Sequence, residues 1–596
     1  MAWSLLNSEE RKNAFFVLIV VMFSALSSAI MVGSVVPFLS VLSDPDQIRD
    51  VPALSLAYKL GGFTSDYDFL LALGAVSLAI IILTSILQFL RMLVIARFAT
   101  MRIHTISYRL LSAYLQQPYE FFLDKNAGNL STKVLSEAQE VVQRFFRPMM
   151  EVTAASLTIL AIVSLILWIN FQVSLLVFVI VGSAYAALFY FSRNTIRELG
   201  LKRVDANSTR YRIAGEALGG IKDLKLFGRE AFYLKRFNEP SLSVARTQAA
   251  VAVLGQAPQY LIQAVAFGGM IVLSLVLLDE AGLVSGNALS GILPLLGVLA
   301  FSGQRLMPEL SKLYYGLTEL TYGAAAVENV HRDLMLTNHV KPLPKTDPKP
   351  IACAGALHLD DVSYRYPGAT NLSLKRINLV IQPGERVGIV GGTGAGKTTL
   401  ADILLGLLRP TEGRLVAAGL EISDNQIRAW QKSIGYVPQE IFLADATVSQ
   451  NIAFGIPPSE IDQARVERAA QMAKIDVFIR EELDRGYDTS VGERGIRLSG
   501  GQKQRIGIAR ALYHDPFMIV FDEATSALDN LTEREVMRAI EAIPGNKSVV
   551  FIAHRLSTVR PCDKIVVMNH GEVVGCGTWE DLMNSNEPFR KIALQT

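Results

Sequence analysis

This sequence contains few cysteines and has almost no net charge. Only three cysteines occur in 596 residues, Cys353, Cys562 and Cys576, and their spacing fits neither a disulfide framework nor a zinc site. We interpret them as reduced thiols. The formal net charge is +2, which gives no indication of a nucleic-acid partner.

Five stretches of the first 320 residues contain no Asp, Glu, Lys or Arg. They are 14–43, 69–90, 152–192, 247–278 and 281–304. A helix that crosses a bilayer needs about 20 apolar residues. The third stretch is too long for one crossing and is interrupted at 170–172 by Asn, Phe and Gln, so the pattern predicts six transmembrane helices. Core helices of a soluble protein are the alternative, and five such stretches argue against it.

The basic residues of this half lie mainly in two long loops. Residues 98–147 contain six Lys and Arg and residues 193–246 contain twelve, whereas 44–68 contains five Asp against two basic residues. Because positive loops stay in the cytoplasm, both basic loops are predicted to be cytoplasmic. Six crossings then return both termini to the cytoplasm. We expect no cleavable signal, since the first apolar stretch is too long for one.

The sequence pattern changes near residue 337. Residues 1–336 are predicted to form a membrane domain, and 337–350 a linker, because four prolines in nine residues exclude a helix interior or a central strand. In 351–596, short β-type runs alternate with helical runs, which indicates a largely parallel α/β sheet. The predicted fold is a membrane α-helical domain fused to an α/β domain. The predicted spans are approximately 14–42, 69–97, 150–169, 172–192, 249–278 and 286–310.

A glycine-rich loop follows the predicted strand Arg386–Val390. Its residues are Gly391, Gly392, Thr393, Gly394, Ala395, Gly396, Lys397 and Thr398, and a helical run begins at Thr399. This strand, loop and helix fit the P-loop pattern G-x-x-x-x-G-K-[ST]. Backbone N–H groups are expected to bind phosphate, Lys397 to reach the β- and γ-phosphates, and the Thr398 hydroxyl to bind Mg²⁺. The pattern therefore predicts an ATP site that extends to Thr399.

Two adjacent carboxylates follow a second predicted strand, Phe517–Phe521. Asp522, at the end of the strand, is expected to hold Mg²⁺ through water. Glu523 is expected to accept a proton from the water that attacks the nucleotide. Paired carboxylates are common on protein surfaces, but the apolar strand before this pair favours a catalytic interpretation.

The segment Leu498-Ser499-Gly500-Gly501-Gln502 stands between these two motifs. With it, the chain resembles the ABC transporter family over the whole C-terminal domain. Ser499 is predicted to begin a helix, so its hydroxyl and the following N–H groups can bind phosphate. The resemblance implies that this phosphate belongs to ATP on the P-loop of the opposite subunit, contacted by Ser499, Gly500, Gly501 and Gln502.

The resemblance implies roles for further residues. Tyr366 matches the aromatic residue that stacks on adenine, Gln439 the glutamine that touches Mg²⁺ and the water, and His554 the histidine that contacts the γ-phosphate. A structural role is the alternative for a lone histidine. Asp529 ends the segment that matches the D-loop, and Val491–Gly495 matches the X-loop of exporters.

Each of these motifs occurs once. One chain therefore supplies half of each composite site and must pair with a second nucleotide-binding domain. Because no motif in this copy is degenerate, a homodimer with two equivalent sites is the simpler interpretation, and a heterodimer is the alternative.

Six predicted spans before one such domain resemble a type I exporter half-transporter. Residues 121–128 resemble the first coupling region, and 216–225 the helix after the second. The segments 36–39, 96–98 and 305–308 most resemble those of bacterial flippases for lipid-linked oligosaccharides. That resemblance implies ATP-driven movement of a lipid-linked oligosaccharide, or of a related polyprenyl or glycolipid substrate, to the outer leaflet of the bacterial cytoplasmic membrane.

Two arginines are candidate substrate ligands. Arg305 lies at the end of the sixth predicted span and Arg91 near the end of the second. An arginine at membrane depth costs about 2.5–3.5 kcal/mol, so it is expected to face a cavity or a partner, and a pyrophosphate would suit its planar donors. The alternative is that the side chains extend to the cytoplasmic headgroups, which is the favoured interpretation for Arg91. For Arg305 both interpretations stay open.

Other function classes fit the sequence less well. A multidrug, lipid or peptide exporter is the alternative within transport. A soluble ABC ATPase of DNA repair or translation lacks membrane spans. A channel or regulatory subunit often has degraded motifs, whereas Glu523 and His554 are present here.

Overall fold

The structure is a computed structural model that describes all residues except 1, 126, 170, 278–287, 337–347, 352–354, 493–494, 524–529, 554 and 596. The chain divides into two compact units. One comprises Met1–Gln117 and Lys125–Lys341, and the other Pro118–Asp124 and Pro342–Thr596. Most of the predicted linker, 337–347, lies outside the described residues.

Helices make up the described part of the chain up to residue 336. In chain order they are α1 (Ala2–Leu5), α2 (Ser8–Ser43), α3 (Gln47–Asp50), α4 (Pro52–Leu60), α5 (Asp66–Leu115), α6 (Tyr119–Leu123), α7 (Ala127–Thr132), α8 (Ala138–Val141), α9 (Arg147–Ile169), α10 (Phe171–Gly219), α11 (Ile221–Leu226), α12 (Glu230–Leu277) and α13 (Ala288–Leu336). Two π-helical turns, Lys133–Glu137 and Val142–Phe146, join α7, α8 and α9. Of these elements, α6 belongs to the second unit.

Several of these helices are longer than a membrane is thick. Helix α5 has 50 residues and so extends about 75 Å, against about 30 Å for the hydrocarbon core of a bilayer. Among the described residues, three stretches are long and apolar enough to cross a membrane: Ser8–Ser43, Asp66–Leu115 and Leu130–Trp168. The other three predicted spans fall on α10, α12 and α13, where crossing stays a prediction.

Small polar residues join the first two membrane helices. Ser77 and Thr84 of α5 donate hydrogen bonds to the carbonyl oxygens of Ser34 and Ser27 of α2, at 2.9 and 3.2 Å. Small side chains let two helices approach closely, and their hydroxyl groups can bond across the interface. This pairing places one face of α5 against α2.

Beyond the apolar stretches, the same helices are held together by buried ion pairs. Arg203 of α10 donates to Glu137 at 3.1 Å, and both side chains are almost completely buried. Arg144 pairs with Glu319 of α13 at 2.7 Å. Many of the basic residues that predict a cytoplasmic location therefore also have structural partners.

The second unit contains ten strands and ten further α-helices among the described residues. The strands are β1 (Leu357–Tyr364), β2 (Leu374–Ile381), β3 (Arg386–Gly391), β4 (Glu412–Ala417), β5 (Leu420–Glu421), β6 (Ile434–Val437), β7 (Met518–Asp522), β8 (Ser548–Ile552), β9 (Lys564–Asn569) and β10 (Glu572–Gly577). The helices are α14 (Lys397–Leu404), α15 (Ile427–Lys432), α16 (Val448–Ile452), α17 (Gln463–Met472), α18 (Asp476–Glu482), α19 (Gly500–Leu512), α20 (Asn530–Glu541), α21 (Leu556–Val559), α22 (Trp579–Ser585) and α23 (Glu587–Gln595).

The strands form two sheets. A six-stranded sheet has the order β10-β9-β3-β8-β7-β6, and its pairs are parallel except that of β10 with β9. The strands β3, β7 and β8 are buried almost throughout, which explains their continuous apolar sequences. Because parallel strands end at the same edge, the carboxyl ends of β3, β7 and β8 lie together there.

The prediction of a largely parallel sheet is confirmed. It missed the separate four-stranded sheet, whose order is β2-β1-β4-β5 and whose pairs are antiparallel. Bulges shift the register of β1 against both of its neighbours, which interrupts the regular alternation on which strand prediction depends.

Candidate functional site

The phosphate loop begins at the end of β3 and leads into α14. The Lys397 ammonium group is buried and donates to the carbonyl oxygens of Gly391 and Gly392, at 2.8 and 3.0 Å. Burial lowers its pKa, although Glu523 and Asp522 act in the opposite direction. Gly392, Thr393 and Gly394 are exposed, whereas Ala395 is buried. The loop thus presents an open side that a phosphate chain can reach.

Two glycines give the loop its shape. Gly394 and Gly396 have φ angles of +78° and +98°, which residues with a side chain rarely adopt. A β-carbon at Gly396 would also lie 2.9 Å from the carbonyl oxygen of Ser373, a backbone atom that cannot easily move. The backbone conformation and the close carbonyl oxygen therefore require glycine at position 396.

We expect Gly396→Ala to weaken ATP binding by at least tenfold, because a strained backbone of this kind costs about 1–3 kcal/mol and the loop must shift. Gly545→Ala is the control, since Gly545 lies outside the phosphate loop, a β-carbon there meets nothing within 4 Å and φ is not positive. Fluorescent ATP-analogue titration of both variants measures the difference. Equal affinities would contradict the role given to the backbone at Gly396.

The two carboxylates lie where the sheet topology predicts. Asp522 is the last residue of β7, and the Glu523 amide donates to the carbonyl oxygen of Ile552, the last residue of β8, at 2.9 Å. Glu523 has φ of +50°, an uncommon conformation for a residue other than glycine. The Gln439 amide group donates to the Glu523 carboxylate at 3.1 Å. The structure therefore brings together Glu523 and Gln439, which are 84 residues apart in sequence.

The predicted adenine-stacking residue lies beside the helix that follows the phosphate loop. The hydroxyl groups of Tyr366 and Thr399 are 3.0 Å apart, and the ring of Tyr366 packs edge-on against that of Tyr364 at 5.0 Å. Thr399 is buried, whereas Thr398 on the same turn is exposed. Thr399 therefore positions Tyr366, and Thr398 presents its hydroxyl to solvent.

Sequence patterns did not indicate two residues that adjoin this site. The Tyr436 hydroxyl donates to the Asp522 carboxylate at 3.4 Å. Burial, followed by the charge of Asp522, raises the pKa of the Asp402 carboxyl group to about 6. Tyr436 lies on β6, three residues before Gln439 in the segment that matches the Q-loop, and Asp402 lies on α14. The motifs assign a role to neither residue.

Ser499 begins helix α19, as its sequence predicts. Its hydroxyl accepts from the Gln502 amide at 3.3 Å, and the Gln502 side chain accepts from the Ser499 amide at 2.8 Å. This reciprocal capping box fixes the start of the helix. Ser499 and Gly500 are exposed, whereas Gly501 is buried. The exposed N-terminus of α19 can therefore receive an anion from outside this unit.

Some predicted site residues lie outside the described part of the chain. They are His554, the whole D-loop segment that ends at Asp529, and residues 493–494 of the predicted X-loop. Their roles stay predictions.

Arg91 is buried within the membrane unit. Its guanidinium group donates to Glu309 at 3.3 Å and to the Thr158 hydroxyl at 3.4 Å, and its side chain is 10% exposed. Lys312 donates to the same Glu309 oxygen at 2.9 Å. The favoured interpretation of Arg91, extension to the headgroups, was therefore wrong, because Glu309, far away in sequence, compensates its charge inside the bundle.

Arg305 lies on the same helix as Glu309 and is half-buried. One nitrogen of its guanidinium group donates to the Ser28 hydroxyl at 3.2 Å. Its Nε atom and the second oxygen of Glu309 are buried and have no hydrogen-bond partner among the described residues. Arg305 thus keeps donor capacity that no acidic side chain takes up in the described part of the chain.

Comparison with known proteins supports both halves of this description. The family model for the ABC transporter transmembrane region matches residues 13–296, and that for the ABC transporter matches residues 374–526. The ATP-dependent lipid A-core flippase of Cupriavidus pinatubonensis is 33% identical over 479 residues, which cover 79% of this chain and 78% of that protein. The Nostoc heterocyst differentiation ATP-binding protein HepA is 30% identical over 477 residues, or 78% and 74% of the two chains.

A solved structure has the same fold. The structure of a bacterial Atm1-family ABC exporter with ATP bound has a TM-score of 0.75 and 22% identity, and the match covers 99% of both chains. The parallel sheet, the phosphate loop with Lys397 and the carboxylates after β7 are the parts of an ATPase, and long membrane helices precede them. The chain therefore belongs to the ABC transporter family, as a membrane protein with the exporter fold in which ATP hydrolysis is coupled to transport.

Proposed function

We propose that this transporter is a flippase that moves an anionic glycolipid from the cytoplasmic to the outer leaflet of the bacterial cytoplasmic membrane. A lipid-linked oligosaccharide or a related polyprenyl lipid is the substrate class that the sequence resemblance implies. The relatives named ATP-dependent lipid A-core flippase act on a lipid, lipid A-core, as their names state. An exporter of drugs, other lipids or peptides is the alternative.

The charge of the membrane unit is the observation that carries this proposal. Arg91 and Lys312 share one oxygen of Glu309. Arg305 lies one turn earlier on the same helix and donates to Ser28, not to Glu309. A cavity of about 380 Å³ is lined by three basic residues and two carboxylates, which leaves an excess of one positive charge: Arg91, Arg147 and Lys312 against Glu151 and Glu309. Burial of excess positive charge is costly unless an anion compensates it. A lipid phosphate or pyrophosphate would supply that charge, and Arg305 is the arginine with donors to spare.

A homodimer is the proposed assembly, because the P-loop and Ser499 each occur once in a chain. An apolar surface on the second long connection supports a protein partner. Around α11, Leu218, Leu226 and Phe227 are 72, 74 and 68% exposed. Clustered apolar side chains exposed in this way mark a surface that another protein covers. We propose that a second copy supplies that cover and completes each ATP site. Six crossings with both basic loops in the cytoplasm would also place both termini in the cytoplasm.

The described residues fit ATP with Mg²⁺. Thr398, Asp522 and Gln439 offer hydroxyl, carboxylate and amide oxygens, which are the hard donors that Mg²⁺ prefers. When bound, the ion neutralises charge that develops on the phosphates. Lys397 holds the β- and γ-phosphates, and Tyr366 stacks on adenine. Glu523 accepts the proton of the attacking water, and Gln439 orients that water. We propose Ser499 of the second copy, His554 and Asp529 as further contacts to the nucleotide.

Arg305→Ala tests the substrate assignment. We expect it to lower translocation of a fluorescent polyprenyl-diphosphate glycolipid in proteoliposomes at least tenfold, while basal ATP hydrolysis stays within about twofold, because a charge-assisted hydrogen bond is worth about 1.5–3 kcal/mol. Arg197→Ala, at an exposed position on α10, is the matched control and should leave both activities unchanged.

Three results would contradict the proposal. Equal loss of transport and basal hydrolysis in Arg305→Ala would indicate a structural role. Full transport in that variant would show that Arg305 does not bind the substrate. Wild-type protein that transports a dye or a peptide but no lipid would favour the alternative exporter class.

A further inference from the structure

A second cavity in the membrane unit has four uncharged amides among its eleven lining residues. Its volume is about 530 Å³, and the side chains of Gln256, Gln259, Gln263 and Gln304 line it with Ser311 and Tyr315. Lys312 is the only charged residue among its lining residues. None of the four amide groups has a hydrogen-bond partner within the described part of the chain.

The four glutamines come from two helices that face each other across this cavity. Gln256, Gln259 and Gln263 lie three and four residues apart on α12, within an arc of roughly 60° at 100° per residue. Gln304 and Ser311 lie two turns apart on one face of α13. Two independent helices therefore present hydrogen-bonding groups to one volume.

The cavity also has an aromatic wall with a fixed position. A β-carbon at Gly255 would lie 2.8 Å from the ring of Tyr315, so the absence of a side chain at Gly255 lets α12 approach that ring. Tyr315 is half-buried, which leaves part of the ring open. A planar apolar surface beside several amides offers both contacts that a sugar ring can make.

The predicted membrane location of these amides argues against contact with lipid. All four lie in stretches predicted to cross the membrane, 249–278 and 286–310, where an unsatisfied polar group in contact with lipid costs several kcal/mol. Gln256 and Gln304 are nevertheless exposed in the chain on its own. In a membrane, these faces of α12 and α13 are expected to meet water, polar groups of a second copy or a polar ligand.

The chemistry of the cavity selects a neutral ligand with many hydroxyl groups. Each amide supplies two donors and one acceptor, which matches a hydroxyl group that both donates and accepts. A cation would meet the charge of Lys312. An anion would use the amide donors and Lys312 but would leave the four carbonyl oxygens without a donor. Lys312 lines both this cavity and the one that contains Arg91, so the two cavities are neighbours.

We infer that this cavity, the amide cavity, binds the saccharide part of the transported lipid, while Arg305 binds its phosphate. This inference rests on the proposed function and adds the class of headgroup. A phosphoglycolipid would place its anionic group near Lys312 and Arg305 and its sugar between α12 and α13.

Binding of two simple lipids to the purified full-length transporter, measured by native mass spectrometry, separates the two parts of the ligand. Digalactosyldiacylglycerol carries sugar without phosphate, and dioleoyl phosphatidate carries phosphate without sugar. In the double variant Gln259→Met and Gln263→Met, which keeps side-chain volume, we expect binding of the galactolipid to fall about tenfold through loss of two amides. Binding of the phosphatidate should change less than twofold.

Gln248→Met is the matched control, because Gln248 lies on α12 and does not line the cavity. It should bind both lipids as the wild type does. Unchanged galactolipid binding in the double variant, or no galactolipid binding by the wild type, would overturn the inference. The inference would also be overturned if the double variant bound both lipids more weakly to the same degree. A tetraalanine peptide serves as a ligand without sugar, and a loss of its binding equal to that of the galactolipid would overturn the inference too.

These results can be told apart from failure of the proposed function. If lipid translocation is absent but the galactolipid effect of the double variant is present, the proposed flippase activity fails and the saccharide site stands. If Arg305→Ala loses translocation and the double variant binds galactolipid normally, the flippase proposal stands and the saccharide site fails.

Discussion

Replacement of Glu523 with Gln is expected to lower ATP hydrolysis by about 10²–10⁴-fold while ATP binding is kept, because an amide cannot accept the proton of the attacking water. Steady-state phosphate release and ATP retention after gel filtration measure the two effects. The variant should hold ATP, since Lys397 and the phosphate loop are unchanged. Transport should stop together with hydrolysis.

The surroundings of Glu523 support this size of effect. The backbone amide is anchored on β8 through Ile552, and the positive φ aims the side chain away from the path of the strand. The Gln439 amide holds one carboxylate oxygen at 3.1 Å. With its backbone anchored on β8 and its carboxylate held by Gln439, Glu523 is pre-organised for one task, and Gln at this position keeps the shape but not the basicity.

Glu421→Gln is the control, because Glu421 is exposed on β5 of the other sheet. It should hydrolyse ATP at the wild-type rate. Undiminished turnover in Glu523→Gln would show that another group accepts the proton. Loss of ATP binding together with turnover would point to disturbed folding of the β7 end.

Much of the ATP site could be predicted from the sequence because its parts are local. The strand, loop and helix around Lys397 form one continuous segment, and Ser499 was correctly placed at the start of a helix that ends at Leu512. Parallel strands then bring their carboxyl ends together whatever the intervening sequence. The loop after β3 and the carboxylates after β7 therefore had to meet.

The partners of the membrane arginines could not be predicted, because they depend on packing between distant helices. Arg91 and Glu309 are separated by 218 residues, and no sequence period relates them. From the sequence, Arg91 was predicted to extend to the headgroups at the membrane edge. The position of Thr158 and Glu309 on two other helices determines instead that it is buried and paired. The amide cavity could not be predicted for the same reason, since the glutamines on α12 line a cavity only where α13 lies opposite them.

Glu309→Ala is expected to destabilise the membrane unit by about 3–5 kcal/mol, the second large effect that the structure predicts. Glu309 is 1% exposed and neutralises Arg91, which is 8% exposed. Removal of one partner of a buried ion pair leaves the other charge buried without compensation. Here the desolvated Arg91 guanidinium group would lose the carboxylate that offsets its burial. Thermal unfolding in detergent, followed by fluorescence-detected size-exclusion chromatography, measures the loss.

Two further variants establish the cause. Glu151→Ala removes a carboxylate that pairs with Arg147 at 3.0 Å, but both side chains are at least one-third exposed, so the expected loss is below about 1 kcal/mol. The double variant Arg91→Leu with Glu309→Leu removes both buried charges and should be more stable than Glu309→Ala alone. If the double variant is the less stable of the two, packing volume and not charge compensation is the main contribution of this pair.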